Sequence, residues 1–122
     1  MTQEEKQLLL QDLCARLPYE VQCEIGGLQY GPYTFTSNDV EDLMEGRVFK
    51  PYLRSMSSMT EDERNEYFDF RNQELQRVAL AEVGRESAIA EISDWLNKKM
   101  FDYRGLIPKG LAIEATEGMY NK

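Results

Sequence analysis

Residues 19–25 alternate without a fault. Tyr19, Val21, Cys23 and Ile25 fall on one side, and Glu20, Gln22 and Glu24 on the other. A period of two marks a β-strand with one dry and one wet face. Such a strand cannot stand alone in water, so it commits the chain to a sheet and to something that covers the dry face. Gly26-Gly27 follows and reads as a two-residue hairpin turn. Residues 28–36 (LQYGPYTFT) are then the partner strand, with Gly31-Pro32 predicting a bulge or an edge position. Residues 47–53 (RVFKPYL) read as a third short strand, weakened by Pro51.

The rest of the chain reads mainly as helix. Thr2 and Glu5 form a capping-box pattern, opening a helix over residues 3–17 that Pro18 ends. Its apolar face is Leu9, Leu10, Leu13, Cys14 and Leu17, with Leu8 off that face. Residues 38–45 read as a short helix capped by Ser37 or Asn38 and closed by Gly46. Residues 54–59 (RSMSSM) connect. Thr60 and Glu63 form a second capping box, opening a long helix over 61–83. Tyr67, Phe68, Leu75, Val78, Ala79 and Val83 form its stripe, while Phe70 and Leu80 lie outside it. A last helix, about 86–100, carries Ala88, Ile89, Ile92, Trp95, Leu96 and Met100. Its stripe is rotated by about a quarter turn from the previous one, so Gly84 marks a break. The segment 102–122 is irregular, and Leu111-Ala112-Ile113 is a candidate short strand.

The expected architecture is α+β: an N-terminal helix, a small antiparallel sheet of about three strands, and two C-terminal helices packed on it. The 122 residues suffice for one domain, 1–122. Helix and sheet occupy about 3–53, the helical part about 60–101, and the tail 102–122.

Charge narrows function. The net charge is −8, with five basic and nine acidic residues up to position 60 and nine and thirteen after it. No basic block exists to neutralise phosphates, so a nucleic-acid partner is not favoured. The acidic, polar start and apolar runs of no more than four residues argue against a secretory signal and a membrane span. The expectation is a cytoplasmic protein whose two cysteines, Cys14 and Cys23, are small reduced core residues.

Chemistry is scarce. There is no histidine, which removes the usual general base and any Ser–His or Cys–His pair. No phosphate-binding glycine loop is present, and neither acidic cluster (Asp39, Glu41, Asp42, Glu45; Glu61, Asp62, Glu63) has the spacing of a metal loop. No catalytic residue, metal site or cofactor is assigned. The densest aromatic–cationic segment runs from Trp95 through Phe101, Tyr103 and Arg104 to Lys109, and Tyr52 adjoins Arg54. Such mixtures serve partner interfaces and single-strand sites, so these seven residues are the candidate binding set. The competing reading puts Trp95 and Phe101 in the core.

The strings LLLQDLCARLPYEVQCEI (8–25), PYLRSMSSMTEDE (51–63) and DWLNKKMFDYRGLIPKGLAIEATEGMY (94–120) resemble a group of short proteins from gut Bacteroidales genomes, prophages and other mobile elements. The resemblance covers most of the chain. The middle, about 28–50, is shorter than in that group, which carries a longer strand-rich insert there, so a closed barrel is not expected. The resemblance implies a mobile-element setting and brings no activity and no site residues.

The leading expectation is therefore a non-enzymatic accessory protein that binds a protein partner or itself. The alternative is a nucleic-acid-related role, by single-strand binding or by acidic mimicry. A small carboxylate- or metal-dependent enzyme ranks third.

Overall fold

A computed structural model describes residues 2–26 and 32–120. Its helices are α1 (Gln3–Arg16), α2 (Asp39–Met44), α3 (Glu61–Ala79) and α4 (Arg85–Lys98). Its strands are β1 (Gln22–Ile25), β2 (Tyr33–Thr34), β3 (Phe49–Leu53) and β4 (Ile113–Glu114). The class is α+β, and the sheet order is β2-β1-β3-β4. The sheet has four strands rather than three and is mixed: β1 pairs antiparallel with β2 and β3, while β4 runs parallel to β3. The tail thus supplies the extra strand, starting two residues after the start of the Leu111-Ala112-Ile113 candidate and sharing only Ile113 with it.

Only residues 22–25 of the expected 19–25 strand form β1: Leu17–Tyr19 make a 3-10 turn and Glu20 takes a left-handed backbone (φ 58°). Val21 and Cys23 are buried, and Glu20 and Glu24 are exposed. The Gly26-Gly27 turn lies partly outside the described residues, as do residues 28–31 of the expected partner strand. The register still constrains it. Cys23 faces Tyr33, so the β1–β2 connection is longer than a two-residue turn at 26–27 would allow.

Pro51 sits in a central strand, where a proline is normally excluded. The register shows why it is tolerated. The Gly26 N–H donates to the Val48 carbonyl, so the even-numbered residues of β3 bond toward β1. Pro51 turns its missing N–H to the opposite edge, where β4 begins only opposite Tyr52.

Both capping boxes form, Thr2 with Glu5 and Thr60 with Glu63. The cap of α2 differs from expectation. Neither Ser37 nor Asn38 is seen capping it; instead the Asp39 carboxylate reaches back to accept from the Thr36 backbone N–H and hydroxyl and from the Tyr33 hydroxyl.

Leu9, Leu13, Val21, Cys23, Phe35, Phe49, Leu53, Met100, Leu106, Leu111 and Ala112 form the main core between α1 and the sheet. The buried face of α1 is Leu9, Asp12, Leu13 and Arg16, not the all-apolar set expected. Leu10 is only partly buried, and Cys14 is exposed rather than core. A buried ion pair has taken the place of two apolar positions.

The largest departure concerns α3. It stops at Ala79, four residues short of the expected end, because Ala81 adopts a left-handed backbone (φ 59°) and turns the chain. Gly84 is then the N-cap of α4. The two helices form a hairpin, and α3 packs on α4 rather than on the sheet. Of the nineteen residues of α3 only Glu74 is buried. No helix is long and apolar enough to cross a membrane among the described residues.

Candidate interaction surface

The base of the hairpin holds most of the sequence candidates. β3 delivers Arg54, whose guanidinium makes two bonds to Glu63 at 2.6 and 2.7 Å and lies 4.3 Å over the Phe101 ring. Glu63 also closes the α3 capping box. Arg54 and these bonds hold its carboxyl down at about 2. Phe101 is fully buried and stacks with Trp95, ring centroids 6.3 Å apart, and Trp95 meets Tyr67 at 5.5 Å. Lys99 covers the Trp95 ring at 5.8 Å. With Met59 and Leu96 these rings make a second, small core that joins the sheet to the hairpin.

Arg104 and Tyr103 belong to a different cluster. Asp12 and Arg16 are both fully buried, and Arg16 grips both Asp12 oxygens at 3.0 Å. Arg16 also donates to the Phe101 carbonyl at 2.7 Å, and Arg104 reaches Asp12 at 2.7 Å. The Tyr103 hydroxyl donates to the Asn97 side chain, and burial pushes that phenol up. Both guanidinium groups lie against the Tyr103 ring. Two arginines and one aspartate, all hydrogen-bonded, can survive burial where a lone charge could not.

The candidate set is therefore scattered and mostly occupied. Trp95, Phe101 and Arg54 meet in one cluster, Tyr103 and Arg104 in another, with Tyr103 also packing against the first. Lys109 is exposed. Tyr52 pairs with Ile113 in the sheet, and its carbonyl accepts the Tyr120 hydroxyl at 2.6 Å. Sequence reasoning missed Asp12, Arg16, Asn97 and Tyr120. Only the Asp12–Arg16 spacing of four residues signalled any of these contacts.

Two depressions mark the surface. A polar cleft of about 520 Å³ lies between Arg54, Thr60, Glu63 and the tail 114–120. An apolar groove of about 300 Å³ runs between Leu9 and Leu10 of α1 and Leu43, Met44 and Val48, with Lys6 and Arg47 on its lining. Among the described residues no three His, Cys, Asp or Glu side chains converge as a metal site would need. In the cleft Arg54 and Glu63 neutralise each other, while Glu114 and Glu117 also line it.

The remaining feature is the outer side of the hairpin. Phe68 is 46 % exposed, Leu75 48 % and Leu80 64 %. The sequence stripe of α3 exists, but its Phe68–Leu75 part is not covered by this chain. Single exposed apolar residues are ordinary; aligned ones on a helix mark a contact surface. The chain matches no protein-family model, and comparison with curated proteins and with solved structures finds no match to its sequence or its fold.

Proposed function

We propose that this chain is a non-enzymatic interaction protein whose contact surface is the α3–α4 hairpin. The observation that carries the reading is the 19-residue α3, which buries only Glu74. Ordering such a helix is costly unless its exposed apolar face is used. The resemblance to short proteins of mobile elements supports an accessory role in a phage or mobile element, in the cytoplasm of its host.

Single-strand binding is less well supported, because Arg54 and Arg104 are ion-paired and Trp95 is stacked between Tyr67 and Phe101. The test is affinity capture of the tagged protein from lysate, with and without nuclease. A nuclease-insensitive partner retained by wild type and lost with Phe68→Ser/Leu75→Ser is the expected result. A catch that vanishes with nuclease, or an empty catch from a strictly monomeric protein, refutes the reading.

A further inference from the structure

The chemistry of the partner is written on α3, given the interaction reading above. At 3.6 residues per turn, Arg64, Asn65, Phe68, Arg71, Asn72 and Leu75 share one side of the helix. That side lies roughly a third of a turn from Tyr67, Phe70, Glu74 and Val78, the residues that are buried or half-buried toward α4. Phe68 and Leu75 are seven residues apart, two turns, the spacing of a helix–helix seam.

The charges on this side are unusual for the chain. Acidic residues outnumber basic ones by 22 to 14. Five of the eight arginines (16, 47, 54, 77 and 104) make ion pairs among the described residues. Arg64 and Arg71 do not, and both are exposed. A carboxylate at helical reach of Arg71 exists, but Glu74 is buried and gives both its oxygens to Arg77. Glu61 is the one carboxylate on this side, at its N-terminal end, and it makes no ion pair with Arg64. An apolar seam flanked by two free guanidinium groups and two amides has the composition of an interface core, not of a solvated helix face.

We propose that this side of α3 docks an acidic amphipathic helix of a partner protein, with apolar residues at i, i+3 or i+4, and i+7 flanked by Asp or Glu. The partner helix lies along α3 as a third member of the hairpin layer. Its seam covers Phe68 and Leu75, and its carboxylates meet Arg64 and Arg71. A second copy of this chain fits less well. Antiparallel pairing that sets Phe68 on Leu75 of the other copy has its two-fold beside Arg71 and brings two like charges together.

The test uses the full chain and two synthetic peptides of about three heptads. Both carry the same leucine seam, one flanked by Glu and the other by Lys. Binding is read by fluorescence anisotropy at about 0.15 M salt, where a screening length of about 8 Å makes the local face outweigh the net charge. Wild type should prefer the Glu peptide at least about tenfold. Arg64→Glu/Arg71→Glu should reverse the preference, and Phe68→Ser/Leu75→Ser should abolish binding of both. All four positions are exposed, and a thermal melt checks that each variant folds.

Equal binding of the two peptides, or a preference unchanged by charge reversal, overturns the proposal. Sedimentation showing a dimer lost with Phe68→Ser assigns the face to a second copy and also overturns it. If neither peptide binds while lysate capture persists and depends on Phe68, the proposal fails and the interaction reading stands. If capture is empty as well, both fail.

Discussion

Replacing Glu63 by Gln removes the charge and turns one acceptor into a donor. The Gln Oε1 can still accept from the Thr60 backbone N–H, so the capping box survives, but the amide NH2 now faces the Arg54 N–H that Oε2 accepts, so the charged two-bond pairing is lost. Arg54 above all, with the Thr60 backbone N–H and hydroxyl, holds the Glu63 carboxyl at about 2, against an ordinary 4.5. A carboxyl whose value is depressed by folding stabilises the native state above its unfolded value, and that stabilisation drains away as pH falls through the folded value. At about 1.36 kcal/mol per pH unit the shift corresponds to roughly 3 kcal/mol. The two side chains keep 21 % and 18 % of their surface exposed, and solvent screening reduces this to about 2 kcal/mol. Glu63→Gln should therefore lower Tm by about 6–10 °C at pH 7 for a domain of this size. Below pH 4.5 the gap between the variant and wild type should narrow, closing near pH 2. Paired melts by circular dichroism across that range check it. A gap that stays constant from pH 7 to 2.5 would show that the ion pair does not carry the stabilisation and that the side chain acts by packing alone.

Three further substitutions probe contacts away from the hairpin. Asp12→Asn leaves the fully buried Arg16 without its counterion, and urea unfolding should register a loss of about 3–5 kcal/mol; a loss under about 1 kcal/mol would mean that water reaches the pair. Tyr120→Phe removes the hydroxyl that bonds the Gln22 N–H at 3.0 Å and the Tyr52 carbonyl at 2.6 Å. It should cost about 1–3 kcal/mol and speed hydrogen exchange at the Gln22 amide. Ala81→Gly relieves a left-handed backbone at the end of α3 (φ 59°) and should gain about 0.5–1 kcal/mol in thermal melts, since glycine adopts that conformation without penalty.

What could be read from the sequence is what local physics controls. The alternation of residues 19–25 located β1 and the buried Val21 and Cys23, but not the strand's start, because Leu17–Tyr19 close a 3-10 turn there. The Thr2–Glu5 and Thr60–Glu63 spacings placed two helix starts to the residue. The end of α3 was not legible, because an alanine rather than Gly84 takes the left-handed turn. β4 was faint because two residues carry no period, and its pairing with Tyr52 and Leu53 comes from 60 residues away. Cys14 was placed in the core for a similar reason: its position on an apolar face is a local fact. The face actually buried is decided by Arg104 and the Phe101 carbonyl, which meet Asp12 and Arg16 from the far end of the chain.

The candidate residues are largely used inside the fold. Trp95, Phe101, Arg54 and Arg104 have interface chemistry, and the fold uses that chemistry internally. Stacking Arg54 on Phe101, and Trp95 between Phe101 and Tyr67, ties the hairpin to the sheet through rings and guanidinium groups rather than through a broad aliphatic core. A joint of that kind is small: Met59, Leu96 and Phe101 are its only buried apolar members among the described residues. It anchors the hairpin at one end, where Glu63, Tyr67 and Trp95 lie. Toward the turn, Leu75, Leu80 and Ile89 remain exposed, so apolar burial and with it local stability fall along the hairpin. A helix laid over Phe68 and Leu75 would add burial where the chain supplies least, and would draw the free Arg64 and Arg71 into ion pairs such as five of the other six arginines make among the described residues.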